Sequence, residues 1–244
     1  NEHVERIIDH SWLEHTQRAR RDNRMLYDGP LCRLAEFRAG AAELHLTLGP
    51  VSYREFLGTN LTHAHLRYVH GAGVMANPLG VSAALTSRDG FLLLGRRSDR
   101  VIYHARRIHP VGGLVEPNAR ADAAPDPVAT MLQELREETN VPAERVLQNE
   151  CLGLVRDKHI VQPELLFDIR IDADAQSIYR CAAEAPDAQE HSQLVPIRDH
   201  PAAVVNFIEQ HLPQLTPVAL ASLLLHGLRH WGGGWFATTR GYLR

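Results

Sequence analysis

Val128, Met131, Leu132 and Leu135 recur three and four positions apart, the spacing of one helix face. Asp126-Pro127 precedes them as a capping residue with proline at the first helical position, and Asn140 follows as a left-handed terminator. The pattern predicts an amphipathic helix with these four residues as its buried stripe. Elsewhere the period is two. CRLAEFR and AELHLTL alternate around Ala39-Gly40-Ala41, a hairpin signal, and NPLGVSAALTS and FLLLGRR read as strands joined at Asp89-Gly90. RRIHPV, CLGLVRD, PELLFDIRI and SQLVPIR supply further strands. Ser52-Tyr53-Arg54-Glu55 has the S-x-x-E form of a capping box and starts a short helix. The N-terminal arm and DAQSIYRCAAEA predict helices, as do the segments opening at His200-Pro201 and Thr216-Pro217. NLTHAHLRYVH fits neither period, and WGGGW reads as a flexible turn. Strands interspersed with helices, without a steady βαβ rhythm, indicate an α/β (α+β) fold with a mixed sheet.

The predicted helix over 127–139 carries Glu134, Glu137 and Glu138. Positions three and four apart share a face, so these carboxylates crowd together, on a face read as distinct from the core stripe. They also lie near the helix C-terminus, where the macrodipole disfavours negative charge. Arg136 points to another side. A bare helix is poorer for this arrangement, and a cation would repair it. Such a trio is also the ordinary sign of a solvated face; the Gly112-Gly113 turn with Glu116 just behind it tips the reading to metal.

Composition narrows the class. The 244 residues carry 26 Lys and Arg against 29 Asp and Glu, a net charge of -3, which argues against binding nucleic acid by bulk charge. Cys32, Cys151 and Cys181 are odd in number and far apart, neither a disulfide framework nor a zinc ribbon. No apolar run is long enough for a bilayer and the first residues lack an apolar signal core, so a cytoplasmic protein without membrane partners is expected. His63 and His65 would share a face of a strand as a zinc pair, but no further ligand spacing completes a site and chance adjacency is the better reading.

The stretch GGLVEP…LQELREETNV resembles the Nudix box, GG-x-x-E…R-E-U-x-E-E-x-G-U with U aliphatic. Gly112, Gly113 and Glu116 match its front, and Glu134, Leu135, Glu137, Glu138 and Val141 its back. Gln133 stands in place of the box arginine and Asn140 in place of its glycine, and the loop PNARADAAPDP is long and lacks a second Glu. LYDGPLCRL, SYREFLGTN, NPLGVSAAL, the Arg96-Arg97-Ser98 run and PELLFDIRI stand in an order similar to the atypical-box UDP-glucose/UDP-galactose pyrophosphatase branch.

That resemblance implies a Nudix-like α/β/α sandwich over 77–244, with a smaller N-terminal α+β region over 1–76 contributing to the substrate pocket. It implies Mg²⁺-dependent hydrolysis of a nucleotide sugar to UMP and a sugar 1-phosphate, with Mn²⁺ as an alternative ion. Glu134, Glu137 and Glu138 would hold the metal, with Glu116 as a weaker ligand and Glu164 as base or extra ligand. Arg96 or Arg97 would grip phosphate, one at most since successive strand residues face opposite ways. Gly112 and Gly113 would allow close backbone approach. Tyr53, Phe56 and Asn60 would stack on and hydrogen-bond a uracil. Rival readings are another substrate (ADP-ribose, NADH or a CoA derivative), a non-hydrolytic Nudix-fold binding module, and a histidine zinc protein. The oligomeric state is left open.

Overall fold

A computed structural model describes residues 1–24, 26–40, 43–120 and 122–243. They divide into two compact units. The first comprises residues 1–80, 114–126 and 156–163, and the second residues 81–113, 127–155 and 164–244.

The first unit starts with α1 (Glu2–Arg21), capped by the Asn1 side chain. Acidic residues in its first turn and arginines in its last complement the helix dipole. The alternating segments form an antiparallel hairpin, β1 (Pro30–Ala39) and β2 (Leu44–Ser52); Ala41 of the expected turn lies outside the described residues. The Ser52 capping box is made in both directions and opens α2 (Tyr53–Phe56). The segment that fitted neither period becomes a π-helical turn, Leu57–Leu61, and a short α3 (Leu66–His70). Because His63 lies between these helices, the two histidines never share a strand face. The His63 ring instead contacts the Gly58 carbonyl at 3.1 Å and the Ser11 hydroxyl at 3.3 Å. Val4, Ile8, Leu66 and Met75 form one apolar cluster, and Leu31, Val51, Phe56 and Ala76 another.

The second unit holds most of a seven-stranded sheet, β3 (Gly80–Ser87), β4 (Phe91–Arg97), β5 (Ile108–His109), β6 (Val111–Leu114), β7 (Val146–Arg156), β8 (Pro163–Ile171) and β9 (His191–Arg198). The order is β5-β4-β3-β8-β7, with β6 also on β3 and β9 also on β4. The expected α/β (α+β) class with a mixed sheet is borne out. β3 and β8 are buried almost throughout, as expected where both sheet faces are covered. Helices α4 (Pro127–Thr139), α5 (Ala175–Ala182), α6 (Pro201–His211) and α7 (Pro217–Tyr242) complete it. One core joins Leu92 and Leu94 of β4 to Val204 and Ile208 of α6 and Ala219 and Leu223 of α7.

Two readings of the helices are corrected. WGGGW is not a flexible turn: α7 runs through it, kinked at Gly232, where φ is 85°. In α4 the buried positions are Met131, Leu135, Glu138 and Thr139, while Val128 is 47% exposed. The stripe is displaced toward the C-terminus, and Glu138 belongs to it rather than to a separate polar face. No helix among the described residues is long and apolar enough to cross a membrane.

Candidate active site

Helix α4 ends where predicted, with Asn140 in the left-handed region at φ 54°. Its last turns bring Glu134 and Glu138 against β6 (Val111–Leu114), and Gly112-Gly113, read as a turn, lies in a strand. Glu138 is 4% exposed, and its carboxylate accepts from the Gly112 backbone N–H at 3.2 Å and is paired with His191 Nε2. Burial of a carboxylate is tolerated only with such partners. Gly95 makes the room: a Cβ there would overlap the His191 ring. Leu93, Gly95 and Arg97 alternate onto the sheet face opposite Leu92, Leu94 and Arg96, so His191 and Glu138 meet on the face away from the α6–α7 core.

The two glycines have packing reasons of their own. A Cβ on Gly112 would strike the Val81 carbonyl oxygen and Ser82, and one on Gly113 would overlap the Glu134 carboxylate. Each glycine lets something approach, and what approaches here is the neighbouring strand and the first acid of the trio. Glu134 is pushed up to about 8, first by burial and then by the charges of Glu138, Glu137, Glu190 and Asp187. Burial and Glu138 likewise raise Glu190. The backbone N–H of Asp187 bonds the Glu137 carbonyl at 2.8 Å, which ties the acidic 183–190 loop to α4. Gln133 donates to Glu137 at 2.9 Å across one helical turn. It thus orients one carboxylate from the position where the box has arginine.

The other expected residues separate. Arg97 bonds the Tyr103 carbonyl at 3.2 Å, and its charge reaches Glu190 and His109. Arg96 points to the other face, where it donates to the Arg106 carbonyl and to Gln214, each at 3.1 Å. Strand alternation therefore leaves Arg97 on the side of the acids. Glu164 is buried at the start of β8 and accepts from Ser82 Oγ. Tyr53, Phe56, Asn60 and Glu116 belong to the first unit. Phe56 is in an apolar core with Tyr53 against it. Asn60 is fully buried, donating to Asn77 at 3.0 Å and to the Ile160 carbonyl at 2.6 Å, and accepting from the Asn77 N–H at 3.0 Å. Glu116 is exposed; burial first, then the Glu116 charge, raises the Cys32 thiol.

Sequence reasoning missed His191, Glu190 and Asp187. They enter from a loop and a strand start about fifty residues beyond α4, and no period or motif marks them. Among the described residues the ligand atoms of these carboxylates do not all converge within 4.8 Å of one another. They are oxygen donors of like charge, which suits a hard divalent cation such as Mg²⁺. Without one, the same carboxylates repel and one of them is driven toward its neutral form.

No family profile matches the chain. Its sequence is similar to the human protein "Uridine diphosphate glucose pyrophosphatase NUDT22", 35% identical over 160 residues, 54% of this chain and 52% of that one. The Bos taurus protein of the same name is 28% identical over 208 residues, 75% of this chain and 71% of that one. The chain spans about half the length of the first curated relatives it matches. Among solved structures, a Nudix hydrolase from Nitrosomonas europaea aligns with a TM-score of 0.43 and 14% identity over 62% of this chain and 89% of that one. The resemblance to Nudix proteins, and among them to the UDP-glucose branch, is met in the curated sequences.

Proposed function

We propose that this chain is a Nudix-type hydrolase that splits the pyrophosphate bond of a nucleoside diphosphate sugar, UDP-glucose or UDP-galactose, to UMP and a sugar 1-phosphate. The observation that carries the proposal is the packing of Glu134 and Glu138 against Gly113 and Gly112, which lie in strand β6 and not in a turn, where burial first and then the charges of Glu138, Glu137, Glu190 and Asp187 push Glu134 up to about 8. The sugar nucleotide comes from the names of the curated relatives.

Glu134, Glu137 and Glu138 would hold Mg²⁺, or Mn²⁺ in its place. A divalent ion bound there supplies neutralisation of the diphosphate charge and acidification of water. The chain's own residues do the rest. His191 and the Gly112 N–H fix the Glu138 carboxylate, and Gln133 fixes Glu137. Arg97 is proposed to bind a phosphate oxygen, since guanidinium forks match that geometry. The proton of the attacking water is proposed to pass to a carboxylate. Glu164, buried beside Ser82, is proposed to take it, and Glu164→Gln tests this.

The departures from the box favoured a binding module that does not hydrolyse. Two observations weigh against it. Gln133 donates to Glu137, and Asn140 takes the left-handed conformation a glycine would take. A panel of UDP-glucose, UDP-galactose, ADP-ribose, NADH and a CoA derivative, assayed with Mg²⁺, tests the proposal. UMP release from the UDP-sugars that Glu138→Gln abolishes is the expected result. Equal background from both proteins on every substrate would end the hydrolase reading, and turnover of another nucleotide alone would end the sugar assignment.

A further inference from the structure

A second cluster lies on the same unit and plays no part in the proposed hydrolysis. Asp168 is on β8, four residues beyond Glu164, and along a strand that is about 13 Å. His226 and His230 are one helical turn apart on α7, so both rings lie over the same patch of sheet. Asp168 is 6% exposed and His226 fully buried. The His226 Nδ1 lies 3.1 Å from Asp168 Oδ2, and the His230 Nε2 lies 2.6 Å from the same oxygen. All three ligand atoms fall within 4.8 Å of one another.

We propose that Asp168, His226 and His230 form a binding site for a divalent transition-metal ion, zinc, separate from the carboxylate site on α4. Two imidazoles and a carboxylate are a common zinc donor set, and two histidines four apart on a helix are a recurrent way to present it. Ligand atoms about 2.0–2.2 Å from one zinc ion stand roughly 3–3.5 Å apart in a tetrahedral shell. The His226 edge already has that length, and the His230 edge opens by a few tenths of an ångström through a side chain that is 40% exposed. Asp199 accepts from His226 Nε2 at 3.1 Å. A carboxylate on the far nitrogen fixes the tautomer and aims Nδ1 inward, the usual support behind a metal-bound histidine. Trp231 packs edge-on against the His226 ring at 5.4 Å and holds its plane. The exposed side of His230 gives the ion a way in and leaves room for a water or an outside ligand. On binding, zinc takes the place of the Nδ1 proton, which leaves to solvent. Nitrogen donors separate this site from the oxygen-only set on α4, so zinc and Mg²⁺ sort between the two.

The experiment is zinc retention. The whole chain is loaded with zinc in excess Mg²⁺, dialysed, and its metal content measured by mass spectrometry. One zinc per chain is expected in the wild type and in Glu138→Gln. His230→Gln, at a half-exposed position that should leave folding intact by circular dichroism, is expected to lower zinc affinity at least tenfold. Asp168→Asn should do the same. Cobalt in place of zinc should give the visible absorption of a low-coordinate site, lost in His230→Gln. A wild type that retains no zinc overturns the proposal. So does zinc retained equally by His230→Gln, or zinc lost from Glu138→Gln alone, which would place the ion on the α4 carboxylates.

Discussion

Two clusters of ionisable groups sit on the sheet unit, and they solve burial in opposite ways. Around α4, carboxylates face carboxylates, and Glu134 is pushed up to about 8 because burial and four like charges disfavour its ionised form. Around α7, carboxylates face imidazoles. Burial works to lower His226, but Asp168 and Asp199 outweigh it and raise it to about 9. Asp168 in turn is lowered: burial opposes this, and the hydrogen bonds and charges of the two histidines win. The second cluster sets a cationic imidazole between two carboxylates when empty; the first leaves Glu134 facing like charges. A site of facing like charges gains most from an outside cation and has the strongest reason to hold one. A site with its own cationic imidazole must release a proton to take a metal. The difference separates a site built around a cation from one that is stable with or without it.

The largest effect is expected from breaking the like-charged site. Glu138→Gln keeps shape and the Gly112 contact but removes a buried charge that His191 and the metal would share. Activity should fall by roughly 10²–10³-fold, the order lost when one preorganised electrostatic group is removed. Steady-state kinetics with saturating Mg²⁺ decide it, and a loss under tenfold would show that the trio is not the reacting centre. Next comes His191→Gln. It leaves every proposed metal ligand in place and unties only the orientation of Glu138, so a loss of about 10–100-fold in metal affinity or rate is expected. The Mg²⁺ dependence should shift with it, and an unchanged Mg²⁺ titration would make His191 a packing residue only.

A smaller effect appears in stability against pH. Glu134 is an acid whose folded pKa, about 8, lies above its ordinary 4.5. Its folded form keeps a proton that the unfolded chain gives up, so metal-free stability falls as pH rises through that window. His226 is a base whose folded pKa, about 9, lies above its ordinary 6.5. Its stabilisation is full below the lower value and lost as pH rises through the upper one. Thermal melts of metal-free protein should therefore show a melting temperature that falls across both windows. Mg²⁺ should flatten the lower window only, as should Glu134→Gln without metal. If Mg²⁺ leaves the slope unchanged, Glu134 is not in its shell.

What was legible in the chain follows from range. Helix caps, turns and strand alternation are local, and Ser52, Gly90, Asn140 and Thr216 each punctuate the structure where the sequence placed them. The box trio was legible because three carboxylates on one turn is a local fact. Their surroundings were not. His191 reaches Glu138 only because β9 pairs with β4 in one register, Gly95 against Leu194, and no spacing along the chain reveals that. The same holds for Asp168, whose partners come from α7 nearly sixty residues later. His63 and His65 are close in sequence but share no strand face, while the histidines that converge with an acid stand four apart on α7, where the apolar face is the stronger sequence signal. The stripe on α4 was misread for a related reason: periodicity finds apolar residues, and Glu138 is a polar residue in a buried place.

The finest distinction between the clusters rests on Gln133. If neutrality of the helper residue matters little, the site should tolerate its loss. Gln133 is exposed, and its bond to Glu137 spans one turn at 2.9 Å. Such a pair is worth about 0.2–0.5 kcal/mol, or roughly twofold in an equilibrium. Gln133→Ala should therefore weaken Mg²⁺ affinity about twofold and leave the rate at saturating Mg²⁺ nearly unchanged. Gln133→Arg adds a positive charge beside an acid cluster that has an excess of negative charge, and should raise the stability of the metal-free protein while competing with the ion for Glu137. Measuring Mg²⁺ affinity by titration in both variants separates the two roles. A tenfold loss in Gln133→Ala would mean that orientation of Glu137, and not the sum of charge around it, sets how firmly the cluster holds its cation.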